Sequence, residues 1–136
     1  MTDSEKWAWW TLGVVALTAI AYAAFVALLG HPDAAQSVFA LIALTALPKS
    51  SRRYFQGRRL DEREAAIANA ALLAGFRGVW IAFIGFVMTF GFIKGWDASM
   101  NVSMWMLSSS VWWSATLLLA VQATTTLVLY RRVLHA

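Results

Sequence analysis

Four apolar stretches divide this chain, and ten of its eleven lysines and arginines stand on one side of them. Lys49, Arg52, Arg53, Arg58, Arg59 and Arg63 lie between the second and third stretches. Lys6 precedes the first, Arg77 sits just inside the third, and Arg131 and Arg132 follow the fourth. Only Lys94 falls on the other side. Moving a lysine or arginine across a bilayer is costly and the cytoplasmic leaflet is anionic, so loops rich in them stay inside. The pattern predicts an all-α, polytopic membrane protein with four transmembrane helices and with both termini and the central loop in the cytoplasm.

Composition leaves little room for anything else. The 136 residues are 60% hydrophobic and 13% charged. A span takes about 20 residues, so four consume roughly 80 and no separate soluble domain fits beside them. The basic residues flank apolar segments, which makes anionic lipid headgroups the expected partner and nucleic acid not. Cysteine is absent, which removes disulfides, thiol catalysis and Cys-ligated metals. The first apolar stretch contains Ala21-Tyr22-Ala23, with small residues at a cleavage-like spacing, but its leader Thr2-Asp3-Ser4-Glu5-Lys6 is net acidic. A signal peptide begins with a basic region, so an uncleaved first span is expected.

The expected spans are about 9–29, 34–50, 75–94 and 104–130, in a single transmembrane bundle, with a cytoplasmic loop and helix extension over 51–74. Thr2 and Glu5 have capping-box spacing, and Trp7, Trp9 and Trp10 sit where indoles favour the headgroup layer. Gly30-His31-Pro32-Asp33 reads as an external turn. The second span is short: Ala34 to Leu47 would rise about 21 Å as an α-helix, with Pro48 kinking it. Asp61 and Glu64 form a capping box with Asp in the first position, so a helix is expected to start at Asp61 and to run without interruption through Ile93. That is longer than a ~30 Å hydrocarbon core requires. With the boundary placed near Arg77, Ala65–Phe76 becomes a cytoplasmic-side extension.

Two groups of residues are candidates for chemistry. Arg77 lies inside an apolar run, where a charge either snorkels to the headgroups or contacts an anion or lipid phosphate. On the fourth span, Ser108, Trp112, Ala115, Leu119, Gln122 and Thr126 recur with heptad-like spacing. They serve either interhelical hydrogen bonding or a small cavity lined by indole and hydroxyl groups. Small residues suit close helix approach in span one (Ala16, Ala19, Ala23, Ala27) and in span three (Gly78, Gly85, Gly91, Gly95). Haem b needs axial ligands at membrane depth, yet His31 falls in a turn and His135 in the tail. The seven acidic residues all fall in loops or at helix starts, unlike those of proton-coupled transporters. No nucleophile–base set is present, so neither a cofactor nor enzymatic activity is expected.

The stretch Arg58-Arg59-Leu60-Asp61-Glu62-Arg63-Glu64-Ala65-Ala66-Ile67-x-x-Ala70, just before a span, resembles a signature of small four-helix bacterial inner-membrane proteins of unknown function, a "DERE-x-x-I-x-x-A" pattern. Asn69 stands where those families often carry lysine. The resemblance implies a multi-pass protein of the bacterial inner membrane and brings no activity with it. The expected function is that of a non-enzymatic interaction or accessory protein. Arg52, Arg53, Arg58, Arg59, Glu62, Arg63 and Arg77 would contact lipid or a membrane-protein partner, and the chain would self-associate as a homodimer. The alternative is a small transporter or channel using Ser108, Trp112, Gln122, Thr126 and Arg77.

Overall fold

The computed structural model describes residues 3–30, 35–46, 62–95 and 103–134, and nearly all of them are helical. Helix α1 spans Asp3–Leu29, a 3₁₀ helix spans Gln36–Ala46, α2 spans Glu62–Lys94 and α3 spans Met104–Leu134. The three α-helices are each long and apolar enough to cross a membrane. At 33 and 31 residues, α2 and α3 rise about 50 Å and 46 Å. Lys49, the Arg52–Arg59 run, Pro48, the turn at 31–33 and Asp61 with its capping box lie outside the described residues.

Helix α3 is the shared strut. It packs against α1 on one side and α2 on the other, while the 3₁₀ helix leans mainly on α1. Both α-helical pairings are antiparallel. Along α1–α3, Ala8 buries with Ala123 and Leu127, and Tyr22 meets Trp113 at the other end. Along α2–α3, the Tyr130 hydroxyl donates to the Glu64 carboxylate at 3.5 Å, while Gly75 and Gly78 face Leu118, Val121 and Gln122.

The seam is built from small and hydroxylated residues. Ala8, Thr11, Val14 and Thr18 are buried on α1, and Ser109, Thr116, Ala123 and Tyr130 are buried at successive heptad positions of α3. Lipid provides no hydrophobic drive between helices, so close backbone approach and dispersion must supply the attraction, and short side chains permit both. Hydroxyls in a dry seam need partners. Thr18 and Thr116 donate to the carbonyls one turn back, Val14 and Trp112, at 2.8 Å each. Helices α1 and α2 both stop at a glycine in the left-handed conformation, Gly30 (φ 62°) and Gly95 (φ 87°). Their N–H groups close on the Val26 and Gly91 carbonyls, an αL cap that a Cβ would strain.

The packing corrects two expectations. Of the glycines expected to allow close approach, Gly78 does so, but Gly85 meets nothing within 4 Å, and Gly75 makes the tightest contact with α3. On α1, Ala16, Ala23 and Ala27 are exposed and turn away from the bundle. A helix that pairs on one stripe leaves its other small residues to lipid or to partners, and their spacing alone does not reveal which stripe pairs.

The second apolar stretch departs from the expected α-helix. Its 11-residue 3₁₀ helix is well beyond the usual three or four residues, and at ~2.0 Å per residue it reaches about 22 Å where an α-helix of that length would reach about 16 Å. Both ends are tethered. At its start the Gln36 amide donates to the Trp105 carbonyl (3.3 Å) and to Ser109 Oγ (2.9 Å) on α3. At its end the Trp7 and Trp10 indoles donate to the Thr45 and Leu44 carbonyls at 3.2 and 3.0 Å. Those carbonyls are among the last of the helix, which have no partner within it. Tighter winding thus extends a short segment between two fixed points. Changing both Trp7 and Trp10 to Phe should cost about 1 kcal/mol per bond in equilibrium unfolding in mixed micelles. A loss no larger than that of Trp9→Phe, which changes an exposed indole, would remove the tether from the account.

Candidate functional site

The two pairing registers gather charge at the ends of the molecule. Lys6 and Glu5 near the start of α1, Glu62, Arg63 and Glu64 at the start of α2, and Arg131 and Arg132 near the end of α3 share one end. Lys94 lies at the other. Glu62 and Arg63 are exposed. Glu64 is held by Tyr130, whose ring is buried. Two carboxylates in the first turn of α2 and two arginines in the last turn of α3 complement their helix dipoles. This accounts for Glu64, Arg131 and Arg132 as helix-end residues, and leaves Glu62 and Arg63 facing outward from the basic end.

The residues of the α3 stripe meet different neighbours. Ser108 donates to the Gln36 side-chain oxygen at 3.2 Å. Trp112 stacks on Phe39 with centroids 5.9 Å apart and planes 7° from parallel. Gln122 packs its stem toward Gly75, and Thr126 donates to the Gln122 carbonyl on its own helix at 2.9 Å. The structure thus brings Ser108 to the 3₁₀ helix, Trp112 to the aromatic residues and Gln122 to α2.

Two clusters went unread in the sequence. The first is polar: Gln36, Ser108, Ser109 and the backbone of Trp105, at the far end from Arg131. The buried Trp105 Nε1 and the buried Thr11 hydroxyl are the buried side-chain nitrogen and oxygen atoms left unsatisfied among the described residues. The second is aromatic. Phe39, 1% exposed, is ringed by Tyr22 at 5.3 Å, Trp112 at 5.9 Å and Trp113 at 5.4 Å, with Tyr22 and Trp113 themselves edge to face. The adjacent indoles Trp112 and Trp113 were a signal for it, but Phe39 and Tyr22 carried none. Offset and edge-to-face pairs of this kind each add about 0.5–1.5 kcal/mol beyond area burial.

Arg77 stands apart from both. It is exposed on α2, between Gly75 and Gly78, and therefore level with Leu118–Gln122 on α3. Its neighbours along the same stripe, Leu73, Trp80, Ile81 and Ile84, are exposed too. Among the described residues, no three His, Cys, Asp or Glu side chains converge as a metal site would require. Comparison with known protein families, curated proteins and solved structures returns no match to this chain, so its functional reading rests on its own residues.

Proposed function

We propose that this chain is a non-enzymatic, multi-pass protein of the bacterial inner membrane that serves as an interaction or accessory subunit, its basic end bound to anionic lipid headgroups or to a membrane-protein partner. The observation carrying this reading is the collection of Lys6, Arg63, Arg131 and Arg132 at one end of the bundle, opposite Lys94. In the sequence, Lys49, Arg52, Arg53, Arg58 and Arg59 add five more basic residues between Ala46 and Glu62. A basic collar of this kind faces the cytoplasmic leaflet. The reading includes a fourth crossing by the 3₁₀ helix, supported by its tethers near Trp7 at one end and Trp105 at the other, and it places both termini inside. It also includes a homodimer through α2 and α3, for which the open space at Gly85 and the exposed Phe83, Phe86 and Val87 provide surface.

Reporter fusions at Ala136 and after Ser50 should both report cytoplasm, and one near Ser99 the opposite side. A C-terminal fusion on the far side would overturn the topology. Phospholipid co-purified with the protein from native membranes should be enriched in anionic species. Changing Arg52, Arg53, Arg58 and Arg59 together to Gln should remove most of that enrichment. Identical lipid and protein partners in both preparations would count against the basic end as the contact surface. Gly85→Leu should weaken the dimer in detergent without altering monomer stability.

The small transporter or channel is disfavoured by the separate engagement of these residues, Ser108 with Gln36, Trp112 with Phe39 and Thr126 with a carbonyl of its own helix, which supports structural roles over a shared polar path.

A further inference from the structure

Arg77 is separated from the basic end by 13 residues of α2 back to Glu64, about 20 Å of helix, and from Lys94 by 17 residues, about 26 Å. The α3 register gives the same depth: Val121, opposite Gly78, lies ten residues and about 15 Å from Arg131. On α1 this level falls between Ala8 and Tyr22, inside the apolar stretch. A guanidinium on its stem is too short to bridge these distances. Ala65–Phe76 runs alongside the stretch of α3 between Leu118 and Tyr130, so the first half of α2 lies beside a largely apolar part of the bundle.

Arg77 is therefore a cation on the exposed face of α2, near the middle of a helix long and apolar enough to cross a membrane. It stands in an apolar stripe formed by Leu73, Trp80, Ile81 and Ile84, at positions −4, +3, +4 and +7, and these are 50%, 62%, 71% and 51% exposed. A bare charge facing hydrocarbon is costly, and intramembrane charges pair with one another or with backbone carbonyls. Among the described residues, none offers a carboxylate at that level. Glu5, Glu62 and Glu64 belong to the basic end, and Asp33, Asp61 and Asp97 lie outside the described residues. A second copy inserted in the same orientation would bring another Arg77 to the same level, like charge against like. Gly85, assigned above to self-association, lies about 80° round the helix from Arg77.

We propose that the Leu73–Ile84 face of α2 docks a transmembrane helix of a different protein, one that carries an aspartate or glutamate within its apolar stretch. The carboxylate pairs with the Arg77 guanidinium, which presents its donors in the planar fork that matches carboxylate geometry. The flanking Leu73, Ile81 and Ile84 supply the packing that excludes lipid. This inference depends on α2 spanning the bilayer and not on what the Arg52–Arg63 segment binds.

The experiment uses the full chain in phosphatidylcholine vesicles, fluorescently labelled through Thr124→Cys, an exposed site on α3 of a protein with no native cysteine. The probe is a leucine–alanine transmembrane peptide with one central aspartate, carrying the acceptor dye. Energy transfer should report association at least tenfold tighter than for the same peptide with leucine at that position. Arg77→Leu should abolish the difference and Arg77→Lys should retain most of it, with unfolding midpoints of both variants near that of the parent. Three results would each overturn the proposal. The aspartate and leucine peptides could bind equally. Arg77→Leu could leave the preference intact. Or adding phosphatidylglycerol could eliminate aspartate-peptide binding while Arg77→Leu lowers phosphatidylglycerol enrichment around the protein, which would make a lipid phosphate the occupant.

Discussion

Gly75→Leu should separate α2 from α3. A Cβ at position 75 would stand 3.0 Å from the Leu118 carbonyl oxygen and 3.4 Å from Leu118 Cγ. The first of these is backbone, so the helices must move apart for anything larger than hydrogen. Overpacking of this kind costs about 1–3 kcal/mol even for small additions, against a gain in helix propensity of about 1 kcal/mol when glycine is replaced. Gly75→Ala should therefore be mildly destabilising, and Gly75→Leu much more so. Gly78→Ala tests the logic, because its nearest neighbour is the Val121 Cγ2 at 3.2 Å, a side-chain methyl that can shift, and the two terms should nearly cancel. Gly85→Ala, facing open space, should be neutral or stabilising. Spin labels at Leu73→Cys and Thr124→Cys report the inter-helix distance directly. It should broaden in Gly75→Leu and stay sharp in Gly78→Ala. An unchanged distance in Gly75→Leu would mean that the two helices are not packed as described.

Phe39→Ala should be the most damaging single truncation on the α1 side. The ring is almost fully enclosed and contacts three aromatic rings on two helices. Phe→Ala in cores costs about 3–5 kcal/mol. Here the lower part of that range is expected, because in a bilayer little of the stabilisation comes from leaving water and most from packing. Equilibrium unfolding in mixed micelles should show the loss, and the emission of Trp112 and Trp113 should shift as their stacking partner disappears. Phe92→Ala provides the contrast, with a side chain 79% exposed. If both truncations cost the same, the aromatic cluster is not holding the 3₁₀ helix to the bundle.

How much of this was legible follows from which features are local. Helix α2 was readable because Asp61–Glu64 announces a start and nothing up to Ile93 interrupts it. Helix α3 was readable from Trp105 at one end and Tyr130 with two arginines at the other. The 3₁₀ winding was not readable. Gln36–Ala46 has no proline or glycine to force it, and its hydrophobic pattern suits an α-helix equally well. What distinguishes the two is the span between Trp105 and Trp7, a property of other helices. The choice among glycines was hidden for a related reason. Gly75, Gly78 and Gly85 look alike in sequence, and only the register of α3 decides which of them meets a carbonyl and which meets nothing. Arg77 was visible as a charge in an apolar run. Its level along the bundle required two independent registers, one from Glu64–Tyr130 and Gly75–Leu118 and the other from Tyr22–Trp113.

The position of α3 between α1 and α2 has a consequence for how the molecule is made. Ribosomes deliver α1, the 3₁₀ segment and α2 in that order, and substantial contacts between α2 and the first two pass only through α3. Until α3 enters the bilayer, α2 lacks its main packing partner among the described residues, and the first hairpin stands as a separate unit. Closure of the α2 side of the bundle thus waits for α3. A chain halted before Met104 would leave Gly75 and Gly78 uncovered, a substrate for membrane quality control, and such fragments should be short-lived in cells even though every helix they contain is complete.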